Sequence, residues 1–206
     1  MSQLPRLSPI VLQGAHVKLV PMEASHAPAL WAAGADPQLW ALQPRSISSL
    51  SDMQSYVNTA VEDFANGTGL PWVTVCTDND EIVGSTRFMD VALAHGLIEI
   101  GATWISPAMQ RSGINVEAKY LQLAYAFEDL KLESVVFKTE RLNIASQTAI
   151  KKLGAIEEGI FHHHLRTDAG RWRDMVYFAV LREQWQDVKT QLLARLSRHS
   201  IQKSNP

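Results

Sequence analysis

The stretch from Leu97 to Leu130 constrains the fold more than any other part of this chain. An apolar run, Leu97–Ile105 (LIEIGATWI), reads as a strand. Gln110–Asn115 (QRSGIN) follows as a glycine-containing loop, and Val116–Leu130 (VEAKYLQLAYAFEDL) repeats apolar residues at helical spacing. A strand, such a loop and a helix N-terminus also make an anion site. Free backbone N–H groups and the positive end of the helix dipole converge where a phosphate can sit. A single glycine before a helix equally describes a βα turn with no ligand, so the rest of the chain has to decide.

The remaining pieces alternate strand and helix. His16–Val20 (HVKLV) alternates like a half-buried strand and ends at Pro21. Glu23–Ala33 and Ser49–Ala65 carry helical spacing, the second with Leu50, Met53, Val57, Val61 and Phe64 on one face and Asn66-Gly67 as its stop. Trp72–Thr77 and Ile82–Met89 read as a hairpin joined by residues 78–81. Ser134–Glu140 is another strand, and Ile144–Leu153 a short helix closed by Gly154. Ala155–Arg166 and Arg173–Leu181 make a second hairpin, Gln184–Leu196 a C-terminal helix, and Ser197–Pro206 a frayed tail.

Composition narrows the class of protein without choosing a function. A chain of 206 residues with 46% hydrophobic content fits one domain, with a core over about residues 16–185. A formal net charge of −2 argues against a dedicated nucleic-acid binder. Cys76 is the only cysteine, which excludes an intrachain disulfide and favours a cytoplasmic setting. No apolar run approaches ~18 residues and the first residues lack a signal-peptide core, so no membrane association is expected.

The order of these pieces resembles the GNAT N-acetyltransferase family over nearly the whole chain, from about His16 to Trp185. Gln110–Asn115 is similar to the family's Q/R-x-x-G-x-G/A pyrophosphate loop, and Asn143-Ile-Ala-Ser146 followed by Leu153-Gly154 to its second signature. Ile98–Gly101 and Asn115-x-Glu117-Ala118-Lys119 look most like the RimJ/RimL-type, ribosomal-protein-acetylating branch. The resemblance implies an α/β (α+β) GNAT fold with a mixed, mostly antiparallel central sheet flanked by helices. It implies acetyl-CoA as co-substrate, no metal, and an amine acceptor that is a protein N-terminus or a small molecule. It also allows a homodimer. Two positions depart from the family pattern. The loop ends in Asn115 where the family has Gly or Ala, and asparagine is itself a favoured helix N-cap. Ile150 stands where many members carry a tyrosine that protonates the departing thiolate; RimL-type members resemble this chain in placing a serine, here Ser146, early in that helix.

Acetyl transfer from a thioester to an amine needs a neutral nucleophile, a polarised carbonyl and a proton for the leaving sulfur. By resemblance, backbone N–H groups around Trp104 and Ile105 bind the pantetheine and polarise the acetyl oxygen. Gln110, Arg111, Ser112, Gly113, Ile114 and Asn115 hold the pyrophosphate, Asn143 and Ser146 complete the cofactor site, and Ser146 donates to the sulfur. Ser146 also fits an ordinary helix-start serine that satisfies backbone donors. Glu99 is the candidate base: it alternates with Ile98 and Ile100, so it faces away from the apolar side, where partial burial would raise its pKa. The same position suits a carboxylate paired with Lys or Arg across the sheet.

Arg111, Lys119, Lys151 and Lys152 are candidate counter-charges for the phosphates of CoA, the last two also fitting a solvated helix end. In a strand, His162 and His164 share a face while His163 does not, and no third ligand is evident, so His162–His164 reads as a pocket lining or as solvated histidines before a metal site. Two other functions compete with the enzyme: a non-catalytic acyl-CoA-binding or sensing domain, for which Asn115 and Ile150 speak, and an unrelated phosphate-ligand enzyme.

Overall fold

The computed structural model describes residues 7–203, with side chains for residues 7–198. Among the described residues, eight strands form one sheet: β1 (Leu12–Gln13), β2 (Val17–Pro21), β3 (Leu70–Cys76), β4 (Ile82–Ala92), β5 (Leu97–Ile105), β6 (Ser134–Glu140), β7 (Ile156–Arg166) and β8 (Trp172–Leu181). Their spatial order is β1-β2-β3-β4-β5-β6-β8-β7. Neighbours are antiparallel except β5 and β6, which run parallel. That parallel step needs a crossover, and α3 (Ile114–Ala124) supplies it.

Alternation along the strands divides the core between the two faces. Ile98, Ile100, Phe88, Phe137 and Phe178 pack with Ala118 and Leu123 of α3, with Ile150 of α4 (Ile144–Lys151), and with Trp185, Val188 and Leu192 of α5 (Trp185–Lys203). On the other face Val73, Val75 and Trp104 pack with Leu30 of α1 (Ala27–Gly34) and with Met53, Tyr56 and Val57 of α2 (Leu50–Ala65). Helix α2 starts where Ser49 Oγ accepts from the Asp52 N–H at 3.1 Å, and stops at Asn66 before Gly67, which has φ +73°. Cys76 lies buried in the first core cluster.

The structure corrects the expected elements in several places: the Glu23–Ala33 helix is a 3-10 turn (Ala24–His26) followed by α1, and α4 stops at Lys151. Helix α3 starts at Ile114, capped by Gly113 (φ +92°), so Asn115 lies inside the first turn and is not the N-cap. The helix does not run unbroken to Leu130: residues Tyr125–Asp129 form a π turn. Leu50 is 37% exposed and stands off the buried stripe of α2. Helix α5 continues to Lys203, so the expected tail from Ser197 is helical that far, and residues 204–206 lie outside the described residues.

Candidate active site

The loop from Gln110 to Asn115 is held at both ends. Gln110 Nε2 donates to the Ile105 carbonyl at 3.2 Å, and Ser112 Oγ donates to the Met109 carbonyl at 2.7 Å. Arg111 (φ +64°) and Gly113 (φ +92°) both adopt left-handed backbone, which curls the chain into the start of α3. The first-turn N–H groups of a helix have no partner within it. Here the Ile114 N–H has only a 3.5 Å approach to Ser112 Oγ. Arg111 is exposed, and the Asn115 side-chain oxygen is buried without a partner.

Beside the loop the sheet opens. Strands β5 and β6 pair only at Leu97↔Ser134, Ile98↔Val135 and Glu99↔Val136, although β5 continues to Ile105 and β6 to Glu140. Past Glu99, β5 is laddered to β4 alone, with Trp104 opposite Ser85 and Ile105 opposite Gly84. Its other edge faces a wedge-shaped cleft. The β4–β5 register shifts between Ser85 and Arg87, and Ala102 takes φ +47°, so β5 bulges where the cleft begins. Tyr56 of α2 reaches this bulge: its hydroxyl donates to the Ala102 carbonyl at 3.4 Å and lies 3.0 Å from Ser85 Oγ.

Glu99 stands at the apex of the cleft, on the opposite face from Ile98 and Ile100. Its side chain is 9% exposed and lies 2.9 Å from Lys138 Nζ of β6. Burial pushes the Glu99 carboxyl up to about 7, and the nearby Asp90 carboxylate adds to the rise. The Lys138 ammonium opposes both effects, but it is shared with Asp90, which it contacts closely. Asp90 is the more exposed of the two and, held by Lys138, stays below the usual carboxylate range. The first proton taken up by this group therefore goes to Glu99. Lys138 also sits 5.1 Å from the centre of the Tyr177 ring, and burial, its largest single influence, is overcome by the two carboxylates, which raise its pKa.

At the far end of β6, Asn143 caps α4 by accepting from the Ser146 N–H at 3.0 Å. Capping thus falls to Asn143, and the Ser146 hydroxyl does not satisfy a helix-start donor. Ile150 is buried in the core. Of the expected counter-charges, Lys151 pairs with Glu157 at 2.7 Å, and Lys119 is enclosed between α3 and the sheet. The Lys119 ammonium donates to Thr86 Oγ1 and Thr103 Oγ1 at 2.7 Å each and to Gln122 Oε1 at 2.8 Å, so its donors are spent inside the protein. His162 pairs with Asp174 at 3.0 Å and His164 Nε2 lies 2.8 Å from the Tyr177 hydroxyl, while His163 (φ +49°) breaks the β7 register. Among the described residues no three His, Cys, Asp or Glu side chains are grouped to hold a metal, and no helix is long and apolar enough to cross a membrane.

Sequence reasoning missed Lys138, Tyr56, Arg87 and the burial of Lys119. Lys138 alternates off the apolar face of its strand in the same way as Glu99, and that shared phase was the one available signal. For Lys119 a stability test follows. Burial lowers its pKa well below the ordinary 10.5, so the folded protein holds this proton less tightly than the unfolded chain. Stability should then decrease as pH falls below 10.5 toward the folded pKa. Lys119→Met, which removes the buried charge, is expected to be at least as stable as wild type at pH ~7, with the gap narrowing near pH ~9. Urea unfolding of both proteins at the two pH values measures this; parallel pH dependences would refute it.

Residues 16–156 match the family described as an acetyltransferase (GNAT) domain. The chain is 28% identical over 143 residues to the Bacillus subtilis (strain 168) N-acetyltransferase YnaD, itself uncharacterised, covering 69% of this chain and 79% of YnaD. A GCN5-related N-acetyltransferase from Brucella melitensis superposes with a TM-score of 0.86 at 25% identity, over 93% of this chain and 87% of that one. Mycobacterium smegmatis RimJ, solved in complex with CoA-disulfide, shares the fold with a TM-score of 0.76 at 22% identity, over 90% and 91% of the two chains.

Proposed function

The chain belongs to the GNAT acetyltransferase family, and from that premise we propose that it moves an acetyl group from acetyl-CoA to a primary amine by direct attack. The acceptor is a protein N-terminus or a small-molecule amine. The observation that carries this reading is the parting of β5 from β6 beside the left-handed loop at Arg111 and Gly113. A backbone edge and a helix N-terminus there suit the amide-bearing arm and the phosphates of one extended ligand. The acetyltransferase domain is taken as a single unit over residues 1–206, with its core at about 16–185, in a cytoplasmic setting.

Acetyl-CoA supplies an acetyl group activated as a thioester. The residues of this chain do the rest. Gln110, Arg111, Ser112, Gly113, Ile114 and Asn115 shape the turn that offers N–H groups to the pyrophosphate, and Arg111 adds an exposed positive charge. The backbone at Trp104 and Ile105 lines the pantetheine and orients the acetyl carbonyl. Asn143 fixes the first turn of α4, from which Ser146 gives a proton to the leaving sulfur. Glu99 takes the proton from the amine. Its pKa of about 7 suits that task, because a base works best near the operating pH. Lys138 positions Glu99 and, in pairing with Asp90, keeps the cluster from carrying two unneutralised charges.

A ligand that binds only the native state stabilises it by RT ln(1 + [L]/Kd), about 2.7 kcal/mol at a hundredfold excess over Kd. CoA and acetyl-CoA are therefore expected to raise the melting temperature, and ATP and NAD to leave it unchanged. A melting temperature unmoved by millimolar CoA would count against this function. Thiol release with an amine panel separates the enzyme from a CoA-binding sensor.

A further inference from the structure

We propose that Arg87 and the cavity it lines bind a carboxylate on the acceptor, so that the acceptor is a small amine that also carries a carboxylate, as an amino acid does. The inference rests on the acetyl-transfer reading above and names the acceptor class for that same site.

Arg87 is 7% exposed, yet its guanidinium is under-used. It lies 4.4 Å above the centre of the Tyr56 ring, and its one carboxylate neighbour is Asp63, 3.7 Å from Nη1. Its Nε is buried with no partner. A guanidinium offers five N–H donors in a fixed fork, and a buried N–H left without an acceptor is costly. A carboxylate fits that fork with two parallel hydrogen bonds.

The space is there to receive one. Arg87 borders a cavity of about 250 Å³ between the end of α2 and strands β3 and β4, lined also by Asp63, Thr68 and Asp90. That is below the roughly 300–1,000 Å³ typical of drug-sized pockets, which suits a small molecule. Asp90 carries a negative charge at this rim, partly offset by Lys138, which it shares with Glu99; Asp63 is half-exposed and only loosely engaged.

The position relative to the reacting amine completes the argument. Arg87 stands opposite Gly101, and Met89 opposite Glu99, in the β4–β5 ladder. A Cβ on Gly101 would lie 2.7 Å from Glu99 Oε1 and 2.9 Å from Met89 Sδ, so these groups share one face and the glycine keeps the floor between them low. Arg87 and Glu99 are diagonal neighbours, with backbones about 7–8 Å apart. Their long side chains can converge on the two ends of one small zwitterion, its amine at Glu99 and its carboxylate at Arg87.

The test compares matched pairs: free L-amino acids, β-alanine and γ-aminobutyrate against their carboxamides, by thiol release from acetyl-CoA. Wild type should prefer the best carboxylate over its carboxamide by about 10- to 100-fold in kcat/KM, the range of a charge-assisted contact. Arg87→Gln should bring that ratio close to one. Asp63→Asn, which frees the fork, should lower KM for carboxylates and widen the ratio, and it serves if Arg87→Gln fails to fold. No preference in wild type, a preference that survives Arg87→Gln, or a C-terminally amidated peptide acetylated better than every free amino acid would overturn the inference. If no amine releases thiol, the acetyl-transfer reading fails. Calorimetry of the same pairs on CoA-saturated protein then decides: binding confined to the carboxylates supports the subsite, and equal or absent binding overturns it.

Discussion

Gly113→Val is expected to weaken CoA binding by about 100-fold while leaving the fold largely in place. Gly113 holds φ +92° and ψ −19° as the cap of α3, a conformation that a β-branched residue adopts only under strain. Strain of this kind costs on the order of 1–3 kcal/mol, and the valine methyls would also occupy the approach to the first-turn N–H groups. If the loop relaxed to relieve the strain, those N–H groups would no longer converge. Either way the loss falls on the phosphate contacts, and calorimetric titration with CoA reads it directly. A modest drop in melting temperature should accompany it, since the core beneath α3 is untouched. Wild-type affinity in Gly113→Val would mean that the phosphates bind elsewhere.

The two proton-handling roles separate by pH. With Glu99 at about 7, wild-type kcat/KM should fall as pH drops through ~7, because the carboxylate is then taken out of action. An acceptor amine of the α-amino type titrates near ~7.7–8.0, so a base is needed most while the amine is still protonated. Glu99→Gln should therefore cost most between about pH ~7 and ~8, where Glu99 is ionised and the amine is not yet free. The loss there should be about 100-fold, shrinking at higher pH as free amine forms unaided. Ser146→Ala should lower kcat by about 10- to 100-fold, roughly 1.4–2.7 kcal/mol, with little change in CoA affinity and no recovery at high pH. Its defect is at the sulfur, not the amine. Identical pH–rate profiles for the two variants would end this division of labour, and a fully active Ser146→Ala would leave Ser146 without a chemical role.

The strands that frame the cleft were legible because their signals are local. Leu97–Ile105 and Ser134–Glu140 have in the structure the bounds read from their apolar runs, and Gly154 closes α4 with the left-handed backbone expected of it. What escaped depends on contacts between distant parts of the chain. Asn115 carries a strong cap propensity, but Gly113 supplied the positive φ that the turn required, so the helix began earlier and propensity lost to geometry. Lys119 sits in a helical repeat as a polar residue would on a wet face. Only the register of β4 and β5 shows that Thr86 and Thr103 meet beneath it. The partner of Glu99 was foreseen by kind and not by number, since Lys138 lies on the neighbouring strand, far along the chain. Arg87 gave no signal at all, because one arginine in an alternating strand looks like any solvated position.

The parting of β5 and β6 interrupts the hydrogen-bond network of the sheet without interrupting what lies under it. Ile98 and Ile100 on one side and Phe137 and Phe178 on the other belong to the same buried cluster, closed from below by Ala118 and Leu123. The packing beneath the two strands is thus continuous across their parting. A ligand laid along the exposed edge does not have to prise a sheet open or order a loose one. Under the proposed function it would extend the ladder at the edge that β6 leaves unpaired, with little loss of affinity to reorganising the protein. A substitution that thinned this buried layer is then expected to reach the ligand through the spacing of the two strands, with no change at the edge itself.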